Sequence, residues 1–419
     1  MKILVSAFAC HPEMGSEDGV GWGWVTGLAQ RHQVHVVTRK ARREAIEAAL
    51  ARRPMPNLCL HYADPPPWLI FWKKGSRGFM AYALLWQFFA LIKGWHVCRK
   101  ERFDIVQHLT YGNLWLPNYF FLLPGNFVWG PVGGGLVPAA FRAGYGWRAR
   151  LVELLRGVVQ RLLNRLNLPI LLAMKRARLI LVRTEETIRL LPKWAREKAV
   201  LLPETALDPA VFPFDPEQRN HQSQKPTLNV VYAGRLLPLK NLHLAIAAFR
   251  RSFSEHPELA GGLRFDVYGE GPQLETCRRL AGPELNRSIF FHGHLERGVL
   301  MERLRQAHLF THLSAKDTAA MAPMEAMALG VPVICLNCGG MGNLVDSRCG
   351  VILEAGSPEQ VVQTVADALG ELARNRQELA RLSLAARDRI ERSFSWPGRI
   401  GQFEAIVEKA LQRRHAAGS

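Results

Sequence analysis

Four side chains in the second half of the sequence have types and spacings suited to phosphate and sugar chemistry. Arg235 and Lys240 share one loop, Ala233-Gly234-Arg235-Leu236-Leu237-Pro238-Leu239-Lys240-Asn241, at the carboxyl end of an apolar run. Two cations so placed can neutralise a diphosphate, the arginine through a bidentate fork. Asp317 and Glu325 bound a second segment, Asp317-Thr318-Ala319-Ala320-Met321-Ala322-Pro323-Met324-Glu325, read as a turn leading into a helix. The small Ala319 and Ala320 let a ligand approach the backbone, and free N–H groups at the helix start, around Met321, can bind phosphate. Asp317 can grip sugar hydroxyls, and Glu325 those of a ribose. Each segment also has an ordinary reading: basic loops are usually solvated, and carboxylates are favourable near a helix N-terminus whatever they bind. At strand ends of one sheet, the two together favour an anionic ligand.

Two further strand ends, Tyr268-Gly269-Glu270-Gly271-Pro272 and Phe291-His292-Gly293-His294, suit a nucleobase lying against exposed backbone, although glycine turns after strands are common.

The elements that must position these residues alternate. In the first half the pattern predicts strands at Lys2–Phe8, Gln33–Thr38, Leu58–Tyr62, Asp104–Leu109, Phe127–Trp129 and Arg178–Val182. Between them it predicts helices, notably Arg42–Arg52, Phe79–Arg102 and Arg148–Arg176. Short β-branched runs separated by helical patterns mean a doubly wound parallel sheet. The pattern stops around Pro203–Pro226, where the prolines from Pro209 to Pro216 exclude a regular helix and a polar run follows. A second series then predicts strands at Leu228–Ala233, Leu263–Tyr268, Ser288–His292, His308–Leu313, Val331–Leu336 and Gly350–Leu353. Ser357-Pro358-Glu359-Gln360 is a helix start with a capping box, and a last helix is expected at Arg399–Leu411. The fold class is therefore α/β. Residues 1–202 form one Rossmann-like domain, 203–227 a linker, 228–394 a second Rossmann-like domain, and 395–419 a terminal helix packing back on the first. The ligand site is expected in a cleft between the two domains.

The second half resembles glycosyltransferase family 4, also called glycosyl transferases group 1, of the GT-B fold. The resemblance rests on Gly234-Arg235-Leu236 with Lys240, on Gly269-Glu270-Gly271-Pro272, on His292-Gly293, and on Asp317 through Glu325 continuing to Ile334. It implies a retaining enzyme in which Arg235 and Lys240 bind the donor diphosphate, Glu325 the ribose, and Asp317 the transferred sugar. Most members carry Glu where Asp317 stands; a subgroup linked to surface polysaccharides, with Asp-Ser-Gly, is closer. In the first half, the glycine loop at Gly15 resembles the loop that approaches donor phosphates, and His108 matches a strand-end histidine near the transferred sugar. Gly19, Gly21 and Gly23 suit close backbone approach or a plain helix–strand contact, and Trp129-Gly130-Pro131-Val132-Gly133-Gly134-Gly135 reads as a strand-end turn or a cleft element.

Charge narrows the partners. Lys and Arg number 54 against 36 Asp and Glu, a net charge of +18, which calls for an anionic partner. No nucleic-acid signature is present. Phe141–Arg178 is strongly basic, with Arg148, Arg156, Arg161 and Arg165 interleaved among leucines at helical spacing. A second stretch mixes Trp68, Trp72, Lys73, Lys74, Trp86, Lys93 and Trp95. Both fit a polyprenyl-diphosphate-linked acceptor and an anionic membrane surface, or simply a leucine core with a solvated arginine face. The opening Met1-Lys2-Ile3-Leu4-Val5 reads as a strand and not a signal peptide, and Phe79 to Ile92 falls short of the ~20 residues of a membrane span. Scattered cysteines, with Cys335 and Cys338 as a lone CxxC, indicate reduced thiols and a cytoplasmic setting at the inner face of the membrane.

The expected function is transfer of a hexose from a UDP- or GDP-sugar to a growing lipid-linked glycan in cell-surface polysaccharide synthesis, with no metal and no cofactor. A non-hydrolysing sugar-nucleotide epimerase and a non-catalytic membrane-associated scaffold of the same fold are the alternatives. A nicotinamide-dependent dehydrogenase is disfavoured because no GxGxxG follows the first strand.

Overall fold

The computed structural model describes residues 1–14, 16–73, 75, 77–134, 151, 154, 155, 157, 167–259, 261–317 and 321–416. Of these, 1–134, 167–206 and 396–416 fall in one compact unit and 207–395 in another. Each is a wholly parallel sheet with helices on both faces, so the chain is α/β with two Rossmann-like domains.

The first unit has seven strands: β1 Lys2–Ser6, β2 Gln33–Thr38, β3 Leu58–Tyr62, β4 Ile105–His108, β5 Asn126–Val132, β6 Leu179–Val182 and β7 Ala199–Leu201. Their order is β3-β2-β1-β4-β5-β6-β7. Strand alternation divides the core. Leu4, Val106, Phe127 and Ile180 face a layer containing Trp86 of the helix Phe79–Cys98. Ile3, Val5, Ile105 and Val128 face Trp24 of the helix Ser16–Ala29 and Phe403 of the last helix, Trp396–Ala416. The Trp24 and Phe403 rings meet edge to face at 5.3 Å. Among the described residues no helix is long and apolar enough to cross a membrane.

The second unit has six strands: β8 Leu228–Ala233, β9 Leu263–Tyr268, β10 Ile289–Phe291, β11 Leu309–His312, β12 Val333–Leu336 and β13 Gly350–Leu353. Their order, β10-β9-β8-β11-β12-β13, reverses direction between β8 and β11. Val230, Phe265 and Ile334 pack under Ile246, Phe249 and Val365 on one face. Val231, Phe310 and Val333 pack under Met324, Met327 and Ile390 on the other.

Several elements differ from the sequence reading. The segment read as a proline-broken linker contains a helix, Pro216–Ser223. Pro216 is tolerated because it occupies the first turn, where its missing N–H is not needed, and Asp215 caps the helix by accepting from the N–H groups of Glu217 and Gln218. Arg219 of this helix is buried and donates to Ser383 Oγ at 2.8 Å, so polar residues here are packed ones. The partner helix, Arg376–Arg389, went unread because charges cover most of its surface. The expected turn at Trp129-Gly130-Pro131 is instead the continuation of β5, with a register irregularity between Trp129 and Val132. A Cβ on Gly130 would lie 2.4 Å from the Leu181 carbonyl oxygen, which accounts for a glycine inside a strand. Of the helix expected over Arg148–Arg176, Leu168–Arg176 is present, and most of the rest lies outside the described residues.

Candidate active site

Parallel sheets bind ligands outside the carboxyl ends of strands where the strand order reverses. In the second unit that point lies between β8 and β11, and the loops leaving these strands carry Arg235, Lys240 and Asp317. A single 3-10 turn, Pro238–Lys240, lifts Lys240 out of the loop. Asn241 follows in the left-handed region, φ 51°, and its side-chain amide donates to the Leu313 carbonyl at 2.9 Å. The Ala315 N–H donates to Leu239 O at 2.9 Å, so the two loops are stitched by main chain. On the far side the Gly340 N–H donates to Asp317 O at 2.7 Å.

These bonds bring Lys240 Nζ to 2.5 Å from Asp317 Oδ2, and the same oxygen accepts from His312 Nε2 at 2.9 Å. His312 closes β11 and is buried; its Nδ1 meets no hydrogen-bond partner among the described residues. Burial lowers the imidazole pKa, against the pull of Asp317, so His312 is a neutral ring donating Nε2–H. Burial also acts to raise the Asp317 carboxyl. The His312 N–H and the Lys240 ammonium outweigh it and hold that carboxyl well below the usual carboxylate range. The result is an ionised acid and a cation held at the reversal of the sheet.

The start of the loop that carries Lys240 borders a cavity of about 430 Å³ lined by Gly234, Arg235, Tyr268, Gly269, Glu270 and Ala322, among others. Arg235 is exposed, and its carbonyl is held by the Tyr232 hydroxyl at 3.0 Å. Gly269 has φ +129°, and a Cβ there would lie 2.0 Å from the Gly234 carbonyl oxygen; the glycine is required by contact between the two strand-end loops. Gly271, like Gly269 and Gly234, has positive φ. The Gly269 N–H donates to Gly293 O at 2.7 Å, which joins the third loop to the first two.

His292 Nε2 bonds to Asp266 Oδ1 at 2.7 Å, and its ring stacks on Tyr268 at 4.8 Å. Asp266 also takes a fork of two bonds from Arg264, at 2.8 and 2.9 Å. His292 is thus exposed but held in place by Asp266, and Tyr268 beneath its ring lines the cavity. Glu325 lies on the helix Met321–Ala328, its side chain largely covered, and Arg297 caps it at 2.7 Å. Burial raises the Glu325 carboxyl pKa, and Arg297 opposes that rise. Met321 opens the described part of the helix, half-buried; Ala319 and Ala320 lie outside the described residues.

His108 ends β4, fully buried, with Nδ1 3.4 Å from Ser6 Oγ. Burial pushes its imidazole down to about 3. Gly15 lies outside the described residues. The helix that follows it packs tightly: a Cβ on Gly21 would fall 2.0 Å from Ala9 O, and one on Gly23 2.0 Å from the Trp396 ring. Helix packing therefore explains these glycines without a ligand. A cluster that the sequence did not reveal joins Arg183 to Glu17 at 3.1 Å and to Glu204 at 2.7 Å. Its members come from a helix start, a strand end and the chain leaving β7, so no local spacing signals it.

The sequence model of glycosyl transferases group 1 matches residues 213–389. That match covers most of the second unit. A glycogen synthase of Mycobacterium tuberculosis is 30% identical over 169 residues, covering 40% of this chain and 39% of that protein. The chain spans less than half the length of the curated relatives first matched. Among solved structures, sucrose-phosphate synthase from Thermosynechococcus elongatus superposes with a TM-score of 0.60 at 16% identity, covering 100% of both chains. Anabaena Alr3699/HepE in complex with UDP and glucose gives 0.56 at 15% identity, covering 98% of this chain and 100% of that one. At these identities the structural likeness establishes the fold, which is GT-B. The family match covers the loops that carry Arg235, Lys240, Asp317 and Glu325.

Proposed function

We propose that the protein is a retaining glycosyltransferase that moves a hexose from a UDP- or GDP-sugar to a growing, lipid-linked glycan of the cell surface, working at the cytoplasmic face of the membrane. The observation that carries this reading is the Lys240–Asp317 pair at the sheet reversal of a unit that matches glycosyl transferases group 1, with Lys240 on the loop whose Arg235 lines a cavity. The Anabaena neighbour with UDP and glucose supports a nucleotide-sugar donor.

In the proposed reaction the bond between the anomeric carbon and the donor diphosphate breaks, and its electron pair leaves on the phosphate oxygen. Lys240 and Arg235 stabilise that charge, worth several kcal/mol where such groups are fixed beforehand. The acceptor oxygen bonds to the same face of the sugar, and its proton passes to the departing phosphate oxygen. Asp317 orients sugar hydroxyls and Glu325 holds the ribose. Two cations supply what a metal otherwise would, so transfer persists in EDTA.

Thermal-shift measurements with UDP, GDP, ADP and their sugars test the donor site. At 100 times its dissociation constant the true donor adds ~2.7 kcal/mol of stability. Product analysis with and without acceptor then separates transfer from epimerisation. If no nucleotide stabilises the protein, or if Arg235→Ala and Lys240→Ala both turn over normally, the assignment fails.

A further inference from the structure

The helix Phe79–Cys98 is apolar on nearly every side, and the fold uses one of them. Tyr82, Ala83, Trp86, Ala90 and Val97 are buried in the first unit. The opposite side carries Met80, Leu84, Phe88, Ile92 and Trp95, each between 40% and 51% exposed. Residues four apart lie one above another on a helix, so these five make a continuous stripe roughly 22 Å long. The connection leading into the helix adds Trp68 and Phe71, 73% and 77% exposed. Single exposed apolar side chains are ordinary; a row of this length marks a contact surface.

Charge identifies what the stripe meets. From Pro65 to Lys100 the sequence contains no Asp or Glu. Arg77 stands exposed just before the helix, and Arg99 and Lys100 just after it. A second copy of the chain is a poor occupant: whether two stripes ran parallel or antiparallel, cations would face cations at both ends. An anionic bilayer satisfies every part at once. Lipid phosphates take the cations, acyl chains take the stripe, and tryptophans at its margins sit at headgroup level.

We propose that this face docks the protein on an anionic membrane, with the helix Phe79–Cys98 lying in the plane of the interface. The surface adds to the membrane reading above and does not depend on the donor site, so transfer activity and docking fail or succeed separately. The test is sedimentation of the full chain with vesicles of phosphatidylcholine alone or mixed with phosphatidylglycerol. Wild type binds the anionic vesicles and keeps a substantial part of that binding at about 0.5 M salt, because apolar insertion is not screened. Leu84→Glu with Phe88→Glu lowers binding at least tenfold while leaving the melting temperature and the nucleotide-induced shift unchanged. The milder Leu84→Ser with Phe88→Ser gives an intermediate loss. Absence of binding by wild type overturns the proposal, as does undiminished binding by the double variants. So does a wild-type dimer in light scattering that the glutamates split, because the occupant would then be a second copy.

Discussion

Lys240 Nζ and Asp317 Oδ2 lie 2.5 Å apart, each on a side chain less than one-fifth exposed. Such a pair is not a surface ornament: removing one member leaves the other largely buried with its charge uncompensated. The lysine and the acid were read separately from the sequence, one for the phosphate and one for the sugar. In the structure the ammonium donates to the carboxylate, so under the proposed function the carboxylate competes with the donor diphosphate for the same ammonium group.

That competition has a sign. Asp317→Asn frees Lys240, so a nucleoside diphosphate binds about tenfold tighter, ~1.4 kcal/mol. Turnover falls by roughly 100-fold, because the ionised contact proposed for the sugar is gone. Titration calorimetry and initial rates on one preparation check both. Weaker nucleotide binding in the variant contradicts the competition.

Glu325 and Arg297 make the opposite case. Arg297 is exposed and only caps the acid. Glu325→Gln should raise the donor KM about tenfold with little change in kcat, the pattern for a contact that binds ground and transition states equally. Arg297→Ala should change KM less than about threefold, since exposed ion pairs contribute little. Equal effects of the two substitutions would make Arg297 a ligand-binding group.

His108 makes stability depend on pH. Its pKa in the folded protein, about 3, lies below the ordinary value of 6.5. The unfolded chain therefore takes up a proton that the folded one refuses. The stability this neutral ring contributes is complete above pH 6.5 and erodes as pH falls toward the folded value, by about 2 kcal/mol at pH 5. Urea unfolding at pH 7.5 and pH 5 should show the loss in wild type and a smaller loss in His108→Gln. An identical pH slope in the variant excludes His108 as its source.

Gly23→Ala tests the packing explanation for the glycine-rich helix. The added methyl would meet the Trp396 ring at 2.0 Å, so either helix must shift. Overpacking of this kind costs about 1–3 kcal/mol. Chemical denaturation should show it, with nucleotide affinity per folded molecule unchanged.

The strands were legible because buried parallel strands are short apolar runs, and β2, β3, β8, β9 and β13 lie where the pattern puts them. The residues that tune the site were not legible. His312 looks like any polar residue closing a strand, and its bond to Asp317 depends on how the following turn folds back. Arg297 reaches Glu325 from a different helix, and Tyr268 is one aromatic among many until its strand is placed beside β8. Composition misled where charge and proline stood in packed positions, as in Pro216–Ser223. Periodicity records which side of an element is buried; which side chains meet is decided by the sheet order.

The last helix has a consequence for how the molecule is made. Its Glu404 is bonded by Arg31 at 2.8 Å and His32 at 2.9 Å, and its Ala410 carbonyl by Arg178 at 2.9 Å. The first unit is therefore completed by residues that are synthesised after Leu207–Ser395. A nascent chain can fold Leu207–Ser395 as an uninterrupted stretch while Trp24 and its neighbours still wait for Phe403. Premature termination near residue 395 would thus spare the second unit and leave the first with an open apolar face, the part that a quality-control protease would find first.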